Sequence, residues 1–148
     1  MVVLFLSGCV FGASSQTIYP TPMPTPTLAV VAKPMTETDK ESALEFFYHL
    51  KVHMVSSEYE HIAEEVRYPI TVLVDGQPKT YVYISEFIAD FHRIFTEEKI
   101  RMIISTDESE LVFTFEGVSV ADRLVLFDLI CQDPDCNSFV FLITEINN

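Results

Sequence analysis

Val125-Leu126-Phe127-Asp128-Leu129-Ile130-Cys131 and Phe139-Val140-Phe141-Leu142-Ile143-Thr144-Glu145-Ile146, joined by Gln132-Asp133-Pro134-Asp135-Cys136-Asn137-Ser138, decide the fold. Two apolar runs of strand length flank an Asp-Pro turn signal, so strands are expected near 123–132 and 137–146, closing as an antiparallel hairpin. If Cys131 faces Cys136, then Leu129 faces Ser138, Phe127 faces Val140 and Val125 faces Leu142. The opposite face then carries Leu124, Leu126, Asp128 and Ile130 beside Phe139, Phe141 and Ile143. A sheet with one solvated face alternates apolar and polar residues. Here both faces are apolar, so one is expected to meet helices and the other a second surface, such as a second subunit. Cys131 and Cys136 across a hairpin end are expected to form a disulfide in an oxidising compartment. The loop is short, which limits the stabilisation to about 2 kcal/mol. A zinc site needs more thiolate or imidazole ligands than this segment holds.

Upstream, the periodicity is helical. Thr38 and Glu41 fit a capping box. Leu44, Phe47, Leu50 and Met54 recur at helical spacing, giving a first helix over about 39–54. Ser56-Ser57 offers a cap for a second helix through Tyr59, Ile62, Ala63 and Val66, which must stop before Pro69. The period then changes to two. Ile70, Val72 and Val74, the Asp75-Gly76 turn, and Thr80, Val82 and Ile84 read as a hairpin. Ser85 is expected to cap a third helix with Phe87, Ile88, Phe91, Ile94 and Phe95 on one stripe. Strands are expected near 100–105 and 110–117. The fold class is therefore α+β: three N-terminal helices on a curved, mostly antiparallel sheet, over residues 36–148.

The opposite end of the chain supplies an address. Leu6-Ser7-Gly8-Cys9 resembles a bacterial lipobox, with residues 1–8 as the remnant of a signal peptide whose apolar run is Val2–Leu6. Cys9 is then the lipid attachment site, with about 0.8 kcal/mol of membrane affinity per buried methylene. Residues 9–35 read as a tether. Five of the eight prolines fall there, and alternating Pro and Thr favours an extended spacer of about 3.1 Å per residue. The expected location is the bacterial cell envelope, lipid-anchored on the extracytoplasmic face.

Composition limits the function. The chain is 49% hydrophobic and 12% aromatic, with twelve Phe and no Trp, enough for one aromatic-rich core. Its 22 acidic residues against 9 basic ones give a net charge of −13, which opposes nucleic-acid binding. Only four glycines are present, and no phosphate loop or Gly-x-Ser-x-Gly turn appears. No cofactor and no metal is expected. His49 and His53 stand four apart but lack the glutamate of a zinc-protease helix and have Lys51 nearby, so they read as surface histidines. His61 and His92 have no partner in the sequence. Arg67 is expected at a pocket mouth or in a salt bridge with Glu64.

The element order, with Val66-Arg67-Tyr68-Pro69-Ile70-Thr71-Val72, Glu86-Phe87 through Ile94-Phe95-Thr96, Gly117-Val118 and the closing Phe141–Asn147 strand, resembles the nuclear-transport-factor-2-like superfamily. The resemblance covers residues 38–148. It implies a cone-shaped domain with an internal pocket and often a homodimer through the sheet, without implying a reaction. Phe47, Tyr68, Phe91 and Phe139 are the expected pocket lining. The principal expectation is a binding or interaction module that takes a small apolar ligand or an envelope protein. A pocket enzyme of the ketosteroid isomerase or polyketide cyclase kind is the alternative. It would use Asp128 or Asp90 as base and Tyr48 or Tyr68 as donor. Asp128, set among Leu124, Leu126, Ile130 and Phe139, is the leading candidate because burial would raise its pKa. A third possibility is a structural accessory lipoprotein of an envelope complex.

Overall fold

The computed structural model describes residues 35–147. The lipobox with Cys9 lies outside the described residues, and so does the tether up to residue 34. The described chain is α+β, with helices packed on antiparallel sheets. None of its helices is long and apolar enough to cross a membrane.

Helix α1 runs Glu37–Ser56, longer than expected, and its N-cap is Thr36 rather than Thr38. The Thr36 hydroxyl accepts the Asp39 amide at 3.2 Å, and the Asp39 carboxylate accepts the Thr36 amide at 2.7 Å. An aspartate therefore completes the box in place of Glu41. Ser57, in the left-handed region at φ 59°, ends the helix, and the Glu58 amide turns back to the His53 carbonyl. Ala43, Phe47, Leu50 and Met54 are buried on one face. Helix α2 is short, Tyr59–Glu64, and stops before Val66. The chain beyond it joins the sheet, and the Tyr68-Pro69 peptide is cis.

Strands β1 (Ile70–Val74) and β2 (Gln77–Tyr81) form the expected hairpin on Asp75-Gly76, both at positive φ. The two-residue loop pairs Val74 with Gln77 and Ile70 with Tyr81, so β2 begins earlier than the Thr80–Ile84 alternation suggested. The third helix is two pieces, α3 (Ile84–Ala89) and α4 (Phe91–Ile94), capped at Tyr83 rather than Ser85. The break falls at Asp90. Phe87, Phe91, Ile94 and Phe95 nonetheless share the buried side.

The strand expected near 100–105 is a helix, α5 (Glu97–Ser105). Thr96 caps it through the Lys99 amide, and Glu97 and Glu98 occupy its first turn, where carboxylates complement the helix dipole. Ile100, Ile103 and Ile104 recur at helical spacing, with Ile103 fully buried. The strand expected over 110–117 is two strands, β3 (Val112–Thr114) and β4 (Gly117–Val120), turning on Phe115-Glu116.

Strands β5 (Val125–Cys131) and β6 (Phe139–Ile146) complete a sheet in the order β3-β4-β5-β6. The expected register is corrected by three residues: Cys131 pairs with Phe139, Leu129 with Phe141 and Phe127 with Ile143. The connection is longer than a tight turn because Asp133 organises it. Its carboxylate accepts the amides of Asp135, Asn137 and Ser138 at 2.7–3.1 Å, while the Gln132 amide donates to the Ser138 carbonyl. An odd shift exchanges faces. The aromatic residues of β6 therefore join Phe127 and Leu129 on the core side, and Asp128, Ile130, Val140 and Leu142 lie together on the other. Phe46 of α1 seals the core side, with ring centroids 4.8 Å from Phe127 and 5.9 Å from Phe141. At the β6 edge the segment after α2 pairs parallel to the strand. The Arg67 amide donates to the Ile143 carbonyl at 2.9 Å, and the Ile143 amide to the Glu65 carbonyl at 2.7 Å.

Candidate functional site

Asp128 sits on β5 opposite Gly117 of β4, on the face turned away from the helices. A Cβ on Gly117 would stand 3.1 Å from the Asp128 Cβ and 2.5 Å from the Phe127 carbonyl oxygen, so only glycine fits there. Asp128 is half-buried, and burial raises its pKa. The Leu129 amide, donating to Oδ1 at 2.8 Å, and the positive charge of Arg67 pull it partly back. Arg67 itself is exposed and makes no ion pair among the described residues. The arrangement sets a carboxyl whose pKa burial raises within the field of the Arg67 cation.

Asp90 is built differently. At the α3–α4 break it accepts from Lys79 Nζ at 2.6 Å, Tyr81 Oη at 2.8 Å and Arg93 Nη1 at 2.8 Å, and Arg93 also reaches Asp75. These hydrogen bonds hold its carboxyl well below the usual carboxylate range. They tie the β1–β2 hairpin to the helical break. All of the oxygens' strong partners are structural, so Asp90 is ill suited to accept a substrate proton.

The tyrosines separate as well. Tyr48 is 59% exposed on α1. Tyr68 donates to the Ala63 carbonyl at 3.0 Å and lies edge-on to Phe87, and burial pushes its hydroxyl up to about 12. Phe47 and Phe91 are wholly inside the core, with Tyr68 and Phe139 packed against its edge. Phe91 stacks on Tyr59 at 4.4 Å and tilts against Phe95 at 5.1 Å. A cavity of about 250 Å³ lies elsewhere, between the end of α5 and the β4–β5 turn, lined by Met102, Ser105, Thr106, Glu110, Ala121 and Asp122. Sequence periodicity gave no hint of it.

A second cluster draws its members from two helices, so sequence spacing points only to its His49–His53 pair. His53 lies 5.1 Å from His61 and 6.4 Å from His49, ring to ring. His53 Nδ1 meets the Glu58 carboxylate at 2.7 Å and His61 Nδ1 that of Glu64 at 3.4 Å. Beside them Glu65 keeps one buried carboxylate oxygen without a partner among the described residues. Burial raises its pKa, and His53, His49 and His61 oppose that rise. Among the described residues no three His, Cys, Asp or Glu side chains are arranged to hold a metal ion. His92 instead lies edge-on to Tyr59 at 4.8 Å.

Cys131 and Cys136 are joined in a disulfide with their Cα atoms 4.8 Å apart. Cys136 belongs to the connection rather than to β6 and takes the left-handed conformation at φ 53°. The bridge therefore closes the first part of the loop that Asp133 folds, instead of spanning the hairpin ladder. Compared with known proteins, the chain matches no family model, no curated protein and no solved structure.

Proposed function

We propose that this protein is a lipid-anchored, extracytoplasmic binding or interaction module, held to the membrane through Cys9 and displayed by the tether of residues 9–35. The observation that supports it most is the Cys131–Cys136 disulfide. Such bonds persist in oxidising compartments, in keeping with the address suggested by Leu6-Ser7-Gly8-Cys9. The helices on one face of the sheet and the parallel edge at Val66 and Ile143 support a cone-shaped domain of the nuclear-transport-factor-2-like kind. Its interior is filled by Phe47, Phe87, Phe91, Phe95 and Phe127, each at most 1% exposed. That packing favours engagement of an envelope protein at the surface over capture of an apolar ligand inside. A homodimer through the face bearing Ile130, Val140 and Leu142 is one form such engagement could take.

The test is expression of the chain behind a bacterial lipoprotein signal sequence, followed by fractionation. The wild type should sediment with membranes and release into detergent, and Cys9→Ser should become soluble. Membrane retention of Cys9→Ser would overturn the anchor. A proton-transfer enzyme keeps one supporting observation, the raised pKa of half-buried Asp128. It requires Asp128→Asn to abolish a turnover that the wild type performs.

A further inference from the structure

Helix α1 carries apolar residues on two sides. One side is the core stripe Ala43, Phe47, Leu50 and Met54. The other is a row at successive spacings of four, four, three, four and three: Glu37, Glu41, Glu45, Tyr48, Val52 and Val55. Every member of the row is exposed, and the last three are 59, 38 and 66% exposed. Residues three and four apart share one helical face, so this is a single continuous strip. It is acidic over its first half and apolar over its second. A surface helix ordinarily keeps its apolar side chains on the core face and charged ones outside, so three exposed apolar residues in line set this strip apart.

The geometry points to this strip as the docking surface for a cationic amphipathic helix of a partner protein. Tyr48, Val52 and Val55 repeat at i, i+4 and i+7, the spacing with which one helix meets another across a shallow groove. The three glutamates ahead of them fix the charge of the other half: Glu41 has no ion pair among the described residues, while Glu37 meets Lys40 at 2.7 Å and Glu45 approaches His49 at 3.9 Å. A partner helix with apolar residues along one half and Lys or Arg along the other matches both. A second copy of this chain fits less well, because each copy brings a net charge of −13. Its six side chains are far fewer than the roughly 20–30 residues a side of a stable complex, so the contact is transient. The proposal rests on the reading of the protein as an interaction module but needs neither the lipid nor the outer sheet face.

The experiment uses the full chain carrying Cys9→Ser and a fluorescent peptide of about five helical turns, with leucines along one half of a face and lysines along the other. Fluorescence anisotropy should show saturable binding. The triple variant Tyr48→Ser, Val52→Ser, Val55→Ser should weaken it at least tenfold, and Glu41→Lys with Glu45→Lys should weaken it and flatten its salt dependence. Val112→Ser, exposed on the sheet, should leave it unchanged. Circular dichroism and melting curves confirm that the variants fold, since all the replaced side chains are exposed. Equal binding by the triple variant, equal binding of a sequence-scrambled peptide, or no binding at all, as when residues of the chain's own first 34 cover the strip, would overturn the proposal. So would sedimentation showing a dimer that the triple variant dissociates. Membrane attachment through Cys9 would be untouched by any of these results.

Discussion

Glu65 closes α2 with one carboxylate oxygen buried and without a partner among the described residues, and its carbonyl is simultaneously committed to β6. A carboxylic acid whose folded pKa lies above its unfolded value binds a proton more readily when folded, so stability falls as pH rises through the folded pKa. Glu65→Gln should therefore stabilise the protein near pH 7 by up to about 1 kcal/mol, the low end for an unsatisfied acceptor in a partly buried place. The gain should shrink toward pH 4, and urea titrations at the two pH values measure it. Equal effects at both would show that the carboxylate charge is not the cause. Asp90 has the opposite sign. Its carboxyl is held low by Lys79, Arg93 and Tyr81, so its contribution is present above the unfolded carboxylate range and is lost as pH falls through the folded pKa. Asp90→Asn should lower the melting temperature at neutral pH and loosen the β1–β2 hairpin, seen as faster amide exchange of Ile70–Val74. Unchanged exchange would contradict the role assigned to the hub.

At the scale of elements, the hairpin of β4 and β5 depends on one residue without a side chain. Gly117 has φ 129°, and an added Cβ would meet the Phe127 carbonyl oxygen at 2.5 Å. Gly117→Ala should cost about 1–3 kcal/mol for the backbone conformation alone, with the clash added. Gly76, at φ 76° with nothing within 4 Å of its Cβ position, should lose less on the same substitution, and paired denaturant curves compare the two. Thr36→Ala should cost about 1 kcal/mol by removing the α1 cap.

These elements also show what the sequence could and could not disclose. The β1–β2 hairpin was legible because Asp75-Gly76 specifies a two-residue turn, and the core face of α1 because Phe47, Leu50 and Met54 keep helical spacing. Helix α5 is disguised in the sequence because Ile100, Met102, Ile103 and Ile104 look like an apolar strand run. The Thr96 cap and the paired glutamates after it decide otherwise. The β3–β4 turn was missed because Phe115-Glu116 is not a turn dipeptide, and the sharp reversal is borne by the glycine that follows. The β5–β6 register is hidden because Cys136 looks like a strand residue, whereas Asp133 gathers the amides around it into a loop. The burial of Asp128 and its raised pKa could be anticipated from Leu126 and Ile130 on its own side of β5, although Phe139, expected beside them, lies on the core side. The convergence of His49, His53, His61 and Glu65 could not, because α1 and α2 bring it about only on packing.

At the scale of the whole molecule, address and fold meet in the disulfide. Cys131 and Cys136 enclose a short loop, so their joint replacement by Ala should cost about 2 kcal/mol. The sheet and helices should survive, because the core of Phe47, Phe87 and Phe127 lies apart from the loop. The central claim is that the folded part is held outside the cytoplasm by lipid. Its most direct measurement is the intact mass of the mature protein purified from membranes, before and after reduction. The account predicts a chain beginning at Cys9, heavier than its polypeptide by the acyl groups, that gains two hydrogens on reduction as the Cys131–Cys136 bond opens. A chain recovered from the cytosol with no added mass and both thiols already free would contradict it.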